Sequence, residues 1–362
     1  MTRGTQLEIR PHALIHNAQR ACQLAGAASV FAMVKANAYG HGLQLVADVL
    51  REHVDGFGVA VIEEAVALRE LGIDAPIMLL EGCFDAGEWR LAEQLQLDVV
   101  VHSSLQLDTL DAANITGPLS VWLKVDTGMH RIGVPEADVE SVLRSLQENK
   151  CVHVSGLMTH FACADMADDK MSELQLKKIR ELSERFSLPY SAANSAALFK
   201  YPESCGARAR PGIMLYGSSP VAGKTVEQLS LHVTQRLTAS VIAINDVPAG
   251  ESVGYGATWT AERDSKIGVL AIGYGDGYPR RAANGAPVAI NGQRTKTVGR
   301  VSMDMITIDV TDVRNAQVGD VVELWGDDVS IDEVAHFCGT ISYELFCQIT
   351  TRPHRVIADG QA

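Results

Sequence analysis

The sequence has no stretch approaching the roughly 20 consecutive apolar residues of a membrane-spanning helix, although 47% of its 362 residues are hydrophobic. Its apolar content is divided into short runs, the pattern of a water-soluble globular chain with a sizeable core. Positive charge is also scarce: 31 Lys and Arg against 44 Asp and Glu give a net charge of -13. That balance argues against a nucleic-acid partner, which needs clustered Lys and Arg to neutralise phosphates. The seven cysteines (Cys22, Cys83, Cys151, Cys163, Cys205, Cys338 and Cys347) are odd in number, and no two are spaced as CxxC. Zinc and dithiol motifs are therefore not expected; reduced, mostly buried thiols in a cytoplasmic protein are. The N-terminus, MTRGTQLEIRPH, lacks the apolar core of a signal peptide. There is no low-complexity segment, no internal repeat beyond a β–α alternation, and no Pro- or Ser-rich linker.

What is present is strongly patterned. Eight short apolar runs lie between residues 29 and 217: SVFAMVKAN, GFGVAV, PIMLL, LDVVV, LSVWLKV, VHVSGLM, YSAANS and ARARPGIMLYG. Most are rich in Val, Ile, Leu and Met, as strands buried on both faces should be. Helical patterns fill the intervals. Glu63–Leu71 stops at Gly72, a C-cap signal, and Glu136–Glu148 and Asp168–Phe186 read as amphipathic helices. Strand–helix alternation implies a parallel sheet. Eight such units predict an α/β fold whose first domain, residues 1–230, is a closed (β/α)8 TIM-like barrel; a doubly wound open sheet is the structural alternative. Beyond residue 230 the pattern changes to short alternating strands punctuated by AG, NG and GD turns. Residues 231–362 therefore read as a β domain.

In a barrel, active sites gather at the C-terminal ends of the strands. Lys35 closes the first apolar run, Arg131 follows the fifth, His160 the sixth, Ser195 ends the seventh and Arg210 lies on the eighth. Each has an ordinary reading by itself: a strand-end lysine usually extends to water, and a lone histidine is usually a satisfied core residue. Their common placement is what points to a site. Beside Val34 and Met33, Lys35 reads as an amine with a pKa lowered by desolvation, suited to Schiff-base chemistry. Spacing alone does not specify the carbonyl partner.

The segments AMVKANAYGHG, VDTGMHRIGV, MTHFACAD, ANSAA, RPGIMLYG, VGYGATW, GRVSMDM and ISYE, in this order from Lys35 to Tyr343, resemble the alanine racemase family. The resemblance implies a barrel followed by a mostly-β domain, pyridoxal 5'-phosphate as cofactor, alanine as substrate, and a head-to-tail homodimer with shared active sites. It also implies that residues 1–10 add a strand to the β domain. Lys35 would hold the cofactor as a Schiff base. Tyr39 and Tyr343, with Ser195, Gly212 and Ile213, would bind its phosphate; Ser195 opens a helix-like SAALF, and Gly212 lets backbone approach closely. Arg210 would face the pyridine nitrogen with His160 beside it, making the cofactor a weaker electron sink than an aspartate partner would. Arg131 would orient the substrate carboxylate or the cofactor's phenolic oxygen. Tyr255, contributed with Met303 and Asp304 by the second subunit, would face Lys35 across the substrate as the second proton carrier. Without the resemblance, Tyr255 reads as a hairpin aromatic between glycines. Tyr274 and Tyr343 resemble tyrosines that narrow the substrate entry, so serine should be handled poorly and bulky amino acids hardly at all. Lys124 matches a family lysine that can be carbamylated and paired with Arg131; its plainer reading is a strand lysine paired with Asp126 or exposed.

The departures from the family pattern are Gly275 where Ala is common, Ser302 where some members have Cys, and His130 where many have Gly. The segment GYGDGYP lacks the spacing and following helix of a dinucleotide fingerprint. The alternatives are a broad-specificity amino-acid racemase, a diamino-acid decarboxylase on the same scaffold, and a pyridoxal-phosphate carrier. Arg210 and Tyr255 speak against the decarboxylase, Tyr343 and the absence of a signal peptide against the broad-specificity racemase, and the β domain against the carrier.

Overall fold

The computed structural model describes residues 3–167 and 169–358. The chain divides into two compact units, one of residues 14–232 and the other of residues 1–13 with 233–362. Strand β1 (Gln6–Ile9) belongs to the latter.

The larger unit is built on parallel strands whose residues are apolar on both faces, because helices cover the outside and side chains fill the inside. They are β2 (Ser29–Met33), β3 (Gly56–Val59), β4 (Ile77–Leu79), β5 (Asp98–Val101), β6 (Leu119–Asp126), β8 (Val152–Met158), β9 (Tyr190–Ser191) and β10 (Arg208–Ala209), with a two-residue strand β7 (Val134–Pro135) appended to β6. Each of the eight apolar runs supplies one barrel strand. Their order is β10-β2-β3-β4-β5-β6-β8-β9. The ring closes between β9 and β10 without a regular ladder. Ala207 N–H donates to Tyr190 O (2.8 Å), Arg210 N–H to Ala193 O (2.9 Å), and Ser191 Oγ to Arg208 O (2.6 Å). This is the expected TIM-like barrel, not the open sheet.

The helices follow their capping chemistry. Asp85 accepts from the N–H groups of Gly87 and Glu88 (2.6 and 2.9 Å) to start Ala86–Gln94. Asp169 accepts from Ser172 N–H (2.9 Å) to start Lys170–Phe186, one or two residues later than its pattern suggests; Asp168 lies outside the described residues. The Glu136–Glu148 pattern resolves into a 3-10 turn, Glu136–Asp138, and a helix, Val139–Glu148, whose Val139, Val142, Leu143 and Leu146 are buried.

The second unit is mostly β. Its main sheet runs β16-β15-β18-β11-β1-β19, with β14 on β11 and β17 on β14. The strands are β11 (Gln235–Val247), β14 (Ser265–Leu270), β15 (Pro287–Ile290), β16 (Gln293–Lys296), β17 (Ile306–Asp309), β18 (Val321–Trp325) and β19 (His354–Ile357); β12 (Ser252–Val253) and β13 (Trp259–Thr260) form a separate hairpin. Strand β1 inserts between β11, antiparallel, and β19, parallel. Two helices, Ile331–Cys338 and Ser342–Gln348, join the strands. The first starts where Ser330 Oγ accepts from Asp332 N–H (3.1 Å) and buries Val334, Ala335 and Cys338, a 3.6-residue period easily lost among strands. Among the described residues no helix is long and apolar enough to cross a membrane.

Near the N-terminal end of the barrel, the Arg208 guanidinium lies 4.4 Å from the Phe31 ring centre and 4.7 Å from that of Trp122, and pairs with Asp98. It ties the start of β10 to the start of β5 and is stacked between aromatic faces. Replacing Arg208 with Ala should lower the unfolding free energy by about 3 kcal/mol, because a largely buried Asp98 carboxylate loses its partner; urea unfolding measures this.

Candidate active site

The polar residues at the C-terminal end of the barrel are held by unusual backbone. Strand β2 ends at Met33, and Lys35 follows two residues later. After it, Ala36, Asn37, Ala38 and Tyr39 all lie in the left-handed region, with φ of 53, 54, 53 and 50°. Such a conformation costs roughly 1–2 kcal/mol per L-residue, so neighbours must hold it. Asn37 Oδ1 accepts from Leu43 N–H (2.8 Å), the His41 Nδ1 edge meets Tyr39 O (2.9 Å), and the Tyr39 ring stacks on Tyr216 at 4.6 Å. The Tyr216 hydroxyl in turn donates to Met33 O (2.8 Å).

Beside Tyr39, Ser195 meets the chain at Gly212 and Met214. Ser195 opens the helix Ser195–Lys200 rather than ending a strand; Asn194 Oδ1 caps that helix by accepting from Ala197 N–H (3.0 Å). Ser195 Oγ accepts from the N–H groups of Gly212 (2.8 Å) and Met214 (3.3 Å). A Cβ on Gly212 would stand 2.5 Å from Tyr39 Oη, so the Tyr39 side chain packs directly against the bare glycine backbone. Ile213 is fully buried next to it.

Charge dominates the rest. Arg210, 4% exposed, follows β10 directly and donates to Ser191 Oγ and to the carbonyls of Thr159 (2.6 Å) and Ala192 (3.4 Å), not to the His160 ring. Burial lowers its pKa to about 10, which leaves it protonated at neutral pH. Lys124, on β6, is buried. Burial and the cations Arg210, Arg131 and Lys35 lower it to about 7, with Glu81 opposing them. Burial first, and then Arg210, Lys124, Arg131 and Lys35, hold His160 well below the usual imidazole range, so the ring is neutral. Lys35, Lys124, Arg131, His160 and Arg210 therefore share one electrostatic neighbourhood. The backbone leading to Arg131 is fixed by Asp126, which accepts from the N–H groups of Gly128 and His130 (2.9 and 3.0 Å) and pairs with the His130 ring (2.9 Å); His130 takes φ 55° where glycine would be unstrained.

Tyr255, Tyr274, Met303, Asp304 and Tyr343 lie in the other unit. Tyr255 sits in a tight turn between Gly254 and Gly256, at φ 76 and 75°, and is 71% exposed. Tyr274, Met303, Met305 and Tyr343 are exposed as well. The Tyr274 and Met303 loops are joined by Tyr274 N–H to Ser302 O (3.0 Å) and Gly275 N–H to Met303 O (2.9 Å). Beneath them Asp276, fully buried, pairs with Arg3 (2.8 Å) and Arg352 (3.3 Å), and Arg352 also binds Asp304 (2.7 Å). Arg3, Asp276 and Arg352 were not singled out by the sequence reading. Their only cue was a set of charges flanking loops already marked by tyrosine and methionine. Among the described residues no group of three or more His, Cys, Asp or Glu is arranged to hold a metal.

The architecture is a parallel barrel with a basic, lysine-bearing mouth, followed in sequence by a mostly-β unit, and comparison with known proteins places it among amino-acid isomerases. Residues 9–220 match the family model for the alanine racemase N-terminal domain and residues 234–357 that for the C-terminal domain. The chain is 57% identical to an alanine racemase of Alcanivorax borkumensis, over 98% of this chain and 99% of that one. It is 46% identical to a biosynthetic alanine racemase of Pseudomonas aeruginosa, over 95% and 96%. The crystal structure of biosynthetic alanine racemase from Pseudomonas aeruginosa superposes with a TM-score of 0.95 at 44% identity, covering 99% of this chain and all of that one. The alanine racemase from Bacillus anthracis with bound L-Ala-P gives 0.87 at 29%, covering 99% and 96%. The chain belongs to the alanine racemase family.

The lowered pKa of Lys124 has a consequence for stability. Unfolding restores the lysine to its ordinary value of 10.5, so between pH about 7 and 10.5 the unfolded chain binds the extra proton. The contribution of Lys124 to folding therefore becomes more favourable as pH rises through that window. In carbonate-free buffer, Lys124→Met should flatten the gain in urea midpoint between pH 6.5 and about 9 relative to the unchanged protein.

Proposed function

We propose that the protein interconverts L- and D-alanine using pyridoxal phosphate bonded to Lys35, in a homodimer in which each active site takes Tyr255, Met303 and Asp304 from the partner subunit. The observation that carries the cofactor assignment is the convergence of the Ser195 hydroxyl, the Gly212 and Met214 amides and the Tyr39 hydroxyl on one point of the barrel. The donor set fits: a lysine amine for the aldehyde, hydroxyl and amide groups for the phosphate, and a permanent cation, Arg210, for the ring nitrogen. Tyr343 and Ile213 complete the phosphate side. The full-length match to alanine racemases supports the substrate assignment.

When bound, pyridoxal phosphate supplies the electron sink that acidifies the substrate Cα–H. The chain's own residues do the rest. Lys35 Nζ takes or returns the Cα proton on one face. The partner subunit's Tyr255 Oη would serve the other, and inversion at Cα needs both. With the cofactor held there, Arg210, charged at neutral pH, would be the partner of the ring nitrogen and would offer it no acidic proton, and His160 is neutral. This restrains the sink and disfavours transamination. Arg131 orients the substrate carboxylate or the cofactor's phenolic oxygen. Lys124, partly neutral at physiological pH, can attack carbon dioxide through its Nζ lone pair, release a proton and become a carbamate anion that pairs with Arg131. Tyr274 and Tyr343 narrow the entry to small side chains. A 71% exposed Tyr255 and its exposed apolar neighbours suit burial against a second copy.

The test is loss of optical rotation from L-alanine with added pyridoxal phosphate. Rotation should decay to zero from either enantiomer and stop in Lys35→Ala; a protein that binds the cofactor but leaves rotation constant is not an alanine racemase. In Tyr255→Phe, racemisation should fall by about 10²–10⁴-fold, while exchange of the Cα hydrogen with deuterium oxide persists from one enantiomer only. Arg210→Glu should raise the yield of pyruvate formed by transamination, and an unchanged yield would discard the role given to that cation.

A further inference from the structure

The left-handed turn that follows Lys35 is anchored by a carboxylate from another part of the barrel. Glu64 stands three residues after Val61, which caps the helix Ile62–Glu70. One of its oxygens accepts from Ala36 N–H at 2.7 Å and the other from Ala60 N–H at 2.9 Å. The second contact is a common use of Glu in the first turn of a helix, satisfying an amide just outside it, where the helix dipole also favours a negative charge. The first contact reaches 28 residues back in sequence, to the peptide that begins at the carbonyl of Lys35.

That peptide is the entry to four consecutive left-handed residues. Ala36 and Asn37 are exposed, so packing does not hold the start of the turn. The later residues have their own supports in Asn37, His41 and the Tyr39–Tyr216 stack. At the Lys35–Ala36 junction the support is Glu64, and an ionised acceptor makes a strong hydrogen bond to an amide. A carboxylate has two acceptor oxygens and no donor, so it meets two converging N–H groups; an amide side chain would turn an NH₂ toward one of them.

We propose that Glu64 is a positioning residue for the reaction: through the Ala36 amide it fixes the direction in which the Lys35 side chain leaves the backbone. The proposal rests on the reading of Lys35 as the cofactor lysine, but part of its test does not.

The first measurement uses the unaltered, cofactor-free protein. The Ala36 amide should be protected from hydrogen exchange although it lies in an exposed turn, and protection should fall by on the order of 10-fold in Glu64→Gln and Glu64→Ala. The second measurement titrates each protein with pyridoxal phosphate and follows the visible absorbance that the cofactor acquires on bonding to lysine. In the isosteric Glu64→Gln the pH midpoint of that band should shift, and kcat for alanine should fall by about 10-fold or more with KM little changed, at a melting temperature close to that of the unaltered protein. A helix-capping role alone would lower the melting temperature and leave the band unmoved. Unprotected Ala36 in the unaltered protein, or a band with unchanged pH midpoint in Glu64→Gln, overturns the proposal. If the unaltered protein gives no band at all, the reading of Lys35 fails instead, while the exchange data still decide whether Glu64 holds the turn.

Discussion

Like charges gathered around two buried cations, Arg210 and Lys124, are the constraint around which the barrel mouth is organised. Burial first, and the cations Arg210, Arg131 and Lys35 after it, depress Lys124; burial and the same cations with Lys124 keep His160 neutral. Part of the cluster is held by hydrogen bonds. Arg210 is tied to the carbonyls of Thr159 and Ala192 and to the Ser191 hydroxyl, and the approach to Arg131 is tied to Asp126. Such a cluster is at its least favourable when empty of anions. A phosphate, a carboxylate or a carbamate placed there relieves it, so the protein's stability is spent where its ligands will restore it. The same bias suits the anionic cofactor and substrate proposed for the site, on a chain whose net charge is -13: the field that matters is local.

The barrel was readable because its signal is redundant. Eight short apolar runs, with helical patterns in the intervals between them, leave few other arrangements. Gly212 came from the family resemblance, and its contact with the Tyr39 hydroxyl, between residues far apart in sequence, was not readable. Lys35, His160 and Arg210 stood out as polar residues at the ends of apolar runs, and the structure puts them in one electrostatic neighbourhood.

Other features were illegible for physical reasons. Glu64 looks like any acidic residue opening a helix, because the partner that gives it meaning is an amide 28 residues away. Asp276 looks like a turn aspartate, although it is fully buried between Arg3 and Arg352, which come from opposite ends of the chain. Side chains that act through backbone amides, or through partners hundreds of residues distant, leave no periodicity and no motif. The helices Ile331–Cys338 and Ser342–Gln348 were hidden differently, as two short helical periods inside a domain whose dominant period is two.

The turn from Ala36 to Tyr39 traces, in L-amino acids, the backbone path that D-amino acids would follow without strain. Two of its four residues are alanines, the smallest side chains that still penalise the mirror-image path; glycine would make the path free and would also make every other path free. The handedness of a single helical turn thus becomes a stored preference, held in place from outside rather than chosen by the segment itself. A chain proposed to erase the distinction between mirror-image amino acids keeps, next to its reactive lysine, a stretch of backbone wound in the opposite hand to its own helices.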